Sequence, residues 1–292
     1  MSIEALQNFI KETGMSQSKV APLVGVSTAT ISQYLKGEYK GDVAAIDKKV
    51  AEMLDRQADK ARDVKADFVE TPTAKDIFDV CAMAHAMADI NLVIGEAGLG
   101  KTVSLKEYAR QVDNVVMIEV EPTYSPKVLL VELCNRLGIV PSRNNHDNVT
   151  AIVEKLKGSD KLLIIDEAEL LNLRSLEIVR RIHDMAKVGV VLAGMPRLRA
   201  NLRGKRGEYK QLYSRIGFVK DLSDRLPDND MAMLCAAGLG TDAHNSQLLA
   251  ASHGNARRLN KLLRGVNRLA KLNNRAIDAA MISRFSQMLI DF

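Results

Sequence analysis

Five short apolar runs punctuate the middle of the chain: INLVI at 90–94, VVMIEV at 115–120, KLLIID at 161–166, VGVVLAG at 188–194 and IGFVKD at 216–221. Runs of this length, apolar throughout instead of alternating, predict strands buried on both faces. Longer stretches of helical spacing separate them, which predicts crossover connections and therefore an α/β fold with a five-stranded parallel sheet covered by helices on both faces. Upstream, residues 1–41 predict short helices. Residues 42–66 predict one charged helix, with Val43, Ile46, Val50, Met53 and Leu54 at three- to four-residue spacing. FVETPT at 68–73 interrupts that pattern, because Thr71 precedes Pro72 and is disfavoured in helix. Beyond Leu226-Pro227 only helical patterns remain. The predicted organisation is thus a helical module with its connector over 1–66, an α/β core over 67–222 and a helical lid over 223–292. Neither an internal repeat nor a low-complexity tract interrupts it.

Composition narrows the class. With 292 residues, 47% of them hydrophobic, the chain can bury at least one large core. Cys81, Cys134 and Cys235 stand far apart with no Cys/His pairing, so neither a disulfide framework nor a zinc site is indicated, and a reducing, cytoplasmic setting is expected. No run approaches the ~18 apolar residues of a membrane span, and MSIEALQNFI lacks the features of a signal peptide. The net charge of +5 is unevenly spread. Residues 1–70 carry 10 basic and 11 acidic groups, residues 174–220 carry 12 and 3, and residues 250–292 carry 8 and 2. A polyanion partner would meet the later segments sooner than the first.

The chemistry lies at the ends of the predicted strands. Directly after the first comes Gly95-Glu96-Ala97-Gly98-Leu99-Gly100-Lys101-Thr102, followed by a helical segment that opens with Val103. Glycines at this spacing let the backbone curl so that its N–H groups point at phosphate oxygens, and the helix N-terminus adds its dipole. Lys101 would neutralise the β/γ-phosphates and Thr102 would ligate Mg2+. The third strand ends in Asp166-Glu167. Asp166 would hold the metal, and Glu167 would polarise the water that attacks ATP.

These motifs resemble the AAA+ family over roughly residues 75–292. The resemblance implies a polar sensor after the fourth strand, where this chain has Ala193-Gly194-Met195-Pro196 and no suitable side chain. It also implies an arginine finger in Leu212-Tyr213-Ser214-Arg215-Ile216, with Arg215 reaching the ATP of an adjacent subunit, and a second sensor in Gly254-Asn255-Ala256-Arg257-Arg258-Leu259, with Arg257 the better candidate for the γ-phosphate.

Gln17 to Lys36 has the spacing of a helix-turn-helix: Ala21 where helices cross, Gly25 at the turn, Ser27 as the cap of the second helix, and Val20, Val24, Val26, Ile31 and Tyr34 facing inward. Pro22 is out of place inside the first helix. The groove-facing candidates Thr28, Thr30, Ser32 and Gln33 are small and polar, which implies weak sequence preference. The order of modules resembles the phage Mu transposition protein B family, and more distantly the TnsC, TniB and IstB transposition ATPases. That resemblance implies an ATP-dependent DNA-binding ATPase of the bacterial host cytoplasm, whose subunits form a helical homo-oligomer on double-stranded DNA and stimulate a partner transposase. It also implies core loops against the phosphate backbone, with Thr123 and Lys127 after the second strand and the basic loop Arg197, Arg199, Arg203, Lys205 and Arg206 as candidates. A helicase loader or replication initiator, and an ATP-switched helix-turn-helix transcription regulator, are the alternatives.

Overall fold

In the computed structural model each apolar run is a strand: β1 (Ile90–Ile94), β2 (Val115–Glu119), β3 (Leu162–Asp166), β4 (Gly189–Gly194) and β5 (Ile216–Asp221). They form one sheet in the order β2-β3-β4-β1-β5, every neighbouring pair parallel, as expected from the sequence. The three central strands are buried along their whole length. Side chains alternate between two apolar cores. Leu92, Leu163, Ile165, Val190 and Leu192 serve one core, and Val93, Leu162, Ile164, Val191 and Ala193 serve the other. Because both faces are covered, the sequence reads as unbroken apolar runs. The edge strand β5 is largely exposed, with Phe218 and Val219 both at 42%.

The structure describes residues 2–64, 68–204 and 210–289, and the chain divides into two compact units, 1–67 and 68–292. In the first unit, helices α1 (Ser2–Thr13), α2 (Gln17–Val24), α3 (Thr28–Leu35) and α4 (Val43–Val64) enclose a core built on Leu6, Val20, Ala21, Val24, Ile31, Tyr34, Ile46, Val50 and Met53. Gly25 ends α2 in the left-handed region at φ 77°, a conformation that favours glycine. Ser27 caps α3 by accepting from the Thr30 N–H at 3.1 Å. Three expected core positions differ: Val26 and Leu54 are only partly buried, and Val43, on the first turn of α4, is 41% exposed. Tyr34 donates a hydrogen bond to Asp47 inside this unit, and its hydroxyl is pushed up to about 12, first by burial and then by Asp47.

In the second unit Thr71 caps α5 (Pro72–Met87) by accepting from the Ala74 N–H at 3.2 Å, with Pro72 at the first helical position. Helices α5 and α6 (Lys101–Gln111) pack on one side of the sheet. Helices α7 (Pro126–Arg136), α8 (Asn145–Leu156), α9 (Leu173–Ala186) and α10 (Arg197–Arg203) pack on the other. A single turn, α11 (Lys210–Tyr213), precedes β5. The final helices α12 (Asp228–Leu239), α13 (Asn245–Ser252), α14 (Ala256–Leu272) and α15 (Ala279–Ser286) extend the core shared with α5 and α6. Buried Asp230 at the start of α12 accepts from the Thr73 N–H at 3.0 Å, which ties these helices to the start of α5.

Candidate nucleotide-binding site and DNA-facing residues

Parallel strands place their C-terminal ends on one edge, and the candidate nucleotide site lies there. The loop Gly95–Gly100 leaves β1 and delivers the chain into α6. Gly98 has φ 86°, and a Cβ there would lie 2.4 Å from Asn255 Oδ1, so both conformation and space require glycine. Leu99 is 2% exposed and sends its side chain into the core, which leaves only its backbone for a phosphate. Val103, by contrast, is 60% exposed. Lys101 is buried and donates to the carbonyls of Gly95 at 2.6 Å and Glu96 at 2.9 Å. Burial pulls its ammonium below the usual lysine range, while the charges of Asp166, Glu167, Glu169 and Glu96 oppose that shift.

Asp166 is fully buried at the end of β3. Its Oδ1 accepts from the Glu167 N–H at 3.0 Å, and its Oδ2 has no hydrogen-bond partner among the described residues. Burial raises its pKa, against the pull of the Thr102 hydroxyl and the Glu167 N–H. Glu167 follows in the left-handed region at φ 55°, an uncommon conformation for a side chain of this size. Its carboxyl is pushed up as well, by burial first and then by the charges of Glu169 and Asp166.

The C-terminal helices, expected from the sequence to form a lid, reach this loop through the N-terminus of α14. Asn255 caps the helix, its Oδ1 accepting from the Arg258 N–H at 3.0 Å, while its Nδ2 donates to the Ala97 carbonyl at 2.8 Å. The Arg257 N–H donates to the Gly98 carbonyl at 3.2 Å. Together they turn two loop carbonyls toward the lid. The exposed Arg257 side chain starts from this contact, whereas Arg258 bonds the Ala251 carbonyl at 2.7 Å within the lid. Neither Asn255 nor Glu169 was singled out by the sequence motifs.

A family model described as an AAA domain matches residues 86–202, the stretch that contains the glycine loop and Asp166-Glu167. The Mu-like prophage FluMu DNA transposition protein B of Haemophilus influenzae is 30% identical over 247 residues, covering 82% of this chain and 86% of that protein. The chain belongs to the transposition protein B family. The ATP-dependent target DNA activator B of Escherichia phage Mu is 32% identical over 220 residues, which span 72% of this chain and 69% of that protein. Among solved structures, the Aeropyrum pernix ORC2 protein superposes with a TM-score of 0.59 at 18% identity, over 77% of this chain and 69% of that one. That is a likeness of fold, and it agrees with the AAA+ architecture expected from the sequence.

The remaining candidate residues are placed as follows on their own elements. Arg215 stands at the start of β5, whose Ile216 pairs with Ile90 at the start of β1. Five residues of strand at ~3.3 Å each put it roughly 16 Å from the edge that carries the loop. Its Nε lies 3.2 Å from Asp184 Oδ1, and it is half exposed. The expected basic loop is in its first half a helix, α10, because Leu198 and Leu202 one turn apart are fixed in the core. Arg199 pairs with Asp221 at 3.3 Å and Arg203 lies 5.7 Å over the ring of Tyr213. Lys205 and Arg206 lie outside the described residues. Thr123 and Lys127 are exposed in the turn after β2 and the first turn of α7. On α3, Thr28 and Gln33 are exposed, whereas the Thr30 hydroxyl is engaged with Ser27 Oγ at 2.8 Å. No helix of the described residues is long and apolar enough to cross a membrane.

Proposed function

We infer that this chain is an ATP-dependent activator of target DNA in transposition. It binds ATP on the loop Gly95–Thr102, assembles on duplex DNA as a helical homo-oligomer, stimulates a partner transposase, and hydrolyses ATP. The observation that carries the reading is the 30% identity to a transposition protein B across 86% of that protein's length. The likeness to ORC2, at 18% identity, is one of fold and favours neither a replication initiator nor a helicase loader. Three free, buried cysteines suit a reducing host cytoplasm.

The site's chemistry supports hydrolysis. The unpartnered, buried Asp166 Oδ2 and the adjacent Thr102 hydroxyl offer oxygen ligands suited to Mg2+. When bound, Mg2+ neutralises charge on the β- and γ-phosphates. Lys101 exchanges the carbonyls of Gly95 and Glu96 for phosphate oxygens, which return to its ammonium the negative surroundings that burial removed. Glu167 polarises the attacking water. The water oxygen bonds to the γ-phosphorus as the bond from that phosphorus to the β–γ bridging oxygen breaks, its electron pair leaving with ADP. One water proton passes through Glu167 to solvent, and the other stays on the released phosphate. Arg257 approaches the γ-phosphate from the lid, and Arg215 serves the ATP of the next subunit. Arg199, Arg203, Lys205, Arg206, Thr123 and Lys127 face the DNA backbone. The small polar side chains Thr28 and Gln33 give the N-terminal module weak base preference.

The test is nuclease protection on duplexes of unrelated sequence, with ATP or a slowly hydrolysed analogue. Protection should spread along any duplex as protein concentration rises, depend on nucleotide, and vanish in Lys101→Ala together with ATP binding. A discrete footprint at one sequence would point to a transcription regulator, and normal ATP affinity in Lys101→Ala would remove the site assignment.

A further inference from the structure

The short 3-10 turn Ala168–Leu170 after Glu167 buries a carboxylate that the mechanism above does not use. The side chain of Glu169 is 0% exposed, and neither of its carboxylate oxygens has a hydrogen-bond partner among the described residues. Burying a carboxylate with so little hydrogen bonding costs stability, and its nearest ionisable groups are the Glu167 carboxyl, whose pKa it raises, and Arg197. Arg197, itself 56% exposed, forms an ion pair with Oε1 at 3.9 Å, too long for a hydrogen bond.

Geometry indicates where Glu169 is aimed. A Cβ built on Gly194, the last residue of β4, would lie 2.2 Å from Glu169 Oε2 and 3.2 Å from its carboxyl carbon. The carboxylate therefore occupies the place where any side chain at 194 would begin. This is the end of the strand where the sequence offers Gly194 and then Met195, neither of which can bind a water well. From this position the charge of Glu169 acts on both Glu167 and Lys101, the two groups that bracket the γ-phosphate end of the site. Its main chain is held as well, since Asn201 Nδ2 of α10 donates to the Glu169 carbonyl at 3.0 Å.

We propose that Glu169 is a second water-orienting carboxylate of the ATPase site, reaching from the 3-10 turn into the space beside Gly194 to accept a hydrogen bond from the attacking water. The proposal rests on the ATPase reading and assigns a further catalytic residue to it. Glu167 accepts one O–H of the water and Glu169 the other, so that the remaining lone pair faces the γ-phosphorus. The bonds made and broken are those already given, and the proton held by Glu169 is the one that stays on phosphate. The polar group missing from the end of β4 is thereby supplied by the turn that follows β3.

Duplex-stimulated phosphate release by the full chain, with ATP affinity and thermal midpoint measured alongside, tests this. Glu169→Gln should lower kcat at least tenfold and leave ATP affinity within about twofold, with the thermal midpoint reporting that the fold is kept. Glu169→Ala should lose as much activity, and Glu169→Asp should recover part of it. A kcat within twofold of the unmutated chain in Glu169→Gln, or a raised KM with unchanged kcat, would overturn the proposal. Should Glu169→Gln fail to fold, Glu169→Asp decides: it keeps the charge but withdraws it by one carbon–carbon bond, so full kcat overturns the proposal and reduced kcat at normal affinity supports it. An unmutated chain that hydrolyses no ATP with DNA present would instead remove the ATPase reading itself.

Discussion

Asn255 joins the lid to the phosphate loop, and its two hydrogen bonds can be separated by choice of substitution. Its Oδ1 caps α14 and its Nδ2 holds the Ala97 carbonyl at 2.8 Å. A helix cap contributes ~1 kcal/mol and a hydrogen bond ~0.5–1.5 kcal/mol. Asn255→Ala removes both, at a cost of about 2 kcal/mol if the two are independent. Serine caps a helix as well as asparagine but is too short to span to Ala97, so Asn255→Ser removes only the loop contact. In the native arrangement the Ala97 and Gly98 carbonyls turn toward the C-terminal helices, while the Gly95 and Glu96 N–H groups are held by the Gly194 and Ser223 carbonyls, so the phosphates of the proposed site would meet the N–H groups further along the loop. Loss of the Ala97 bond frees the loop to sample other arrangements, and the energy needed to reorder it comes out of ATP binding. A deficit of ~0.5–1.5 kcal/mol corresponds to an ATP Kd raised ~2- to 12-fold. Equilibrium titration with a fluorescent ATP analogue measures that shift, and thermal unfolding of the nucleotide-free chain reports the cap. Expected are weaker ATP binding in both variants and a midpoint lowered in both, about twice as far in Asn255→Ala, which loses the cap as well. Unchanged ATP affinity in Asn255→Ser would show that the contact does not organise the loop for phosphate.

Arg215→Ala should spare ATP binding and cost less than ~1 kcal/mol of stability, since its exposed pair with Asp184 is worth little. It should nonetheless remove DNA-stimulated hydrolysis, and mixing it with Glu167→Gln should restore part of the rate; full activity in Arg215→Ala alone would make this arginine surface charge. The N-terminal unit carries a pH dependence of its own. The Tyr34 hydroxyl is raised from 10 to about 12, so the folded state retains a proton that the unfolded chain loses first. The associated stability, at most ~2–3 kcal/mol, is fully present below about pH 10 and lost as pH rises toward about 12. The difference in urea midpoint between the native chain and Tyr34→Phe should shrink over that window, and a constant difference would refute the assignment.

What could be read from the sequence depended on how far apart in the chain the interacting residues stand. The strands were legible because each is a short apolar run, fully buried in the three central ones, and the phosphate loop because eight consecutive residues carry its chemistry. Asp166 and Glu167 followed from ending such a strand. The segment 197–203 was harder to read: its arginines suggested a solvated loop, and only Leu198 and Leu202, fixed in the core, make it a helix. Val43 fits the spacing of the α4 core positions, yet on the first turn of that helix it remains exposed.

Asn255 and Glu169 could not be found this way, for two different reasons. Asn255 meets Ala97 across 158 residues of chain, and an asparagine before a helix is fully accounted for locally as a cap. Its second bond leaves no trace in the sequence around it. Glu169 sits two residues beyond Glu167, where a carboxylate would be assigned to solvent, and its burial follows from Gly194 on another strand having no side chain. Charge drew the reading of the lid to Arg257, but the contact by which that residue touches the loop is its backbone N–H on the Gly98 carbonyl. Every residue except proline can make that bond. Arg257→Ala therefore leaves the bond on Gly98 intact and removes only the guanidinium, whereas Asn255→Ser releases Ala97 and keeps the guanidinium, so the two variants separate the positioning of the loop from the charge brought to it.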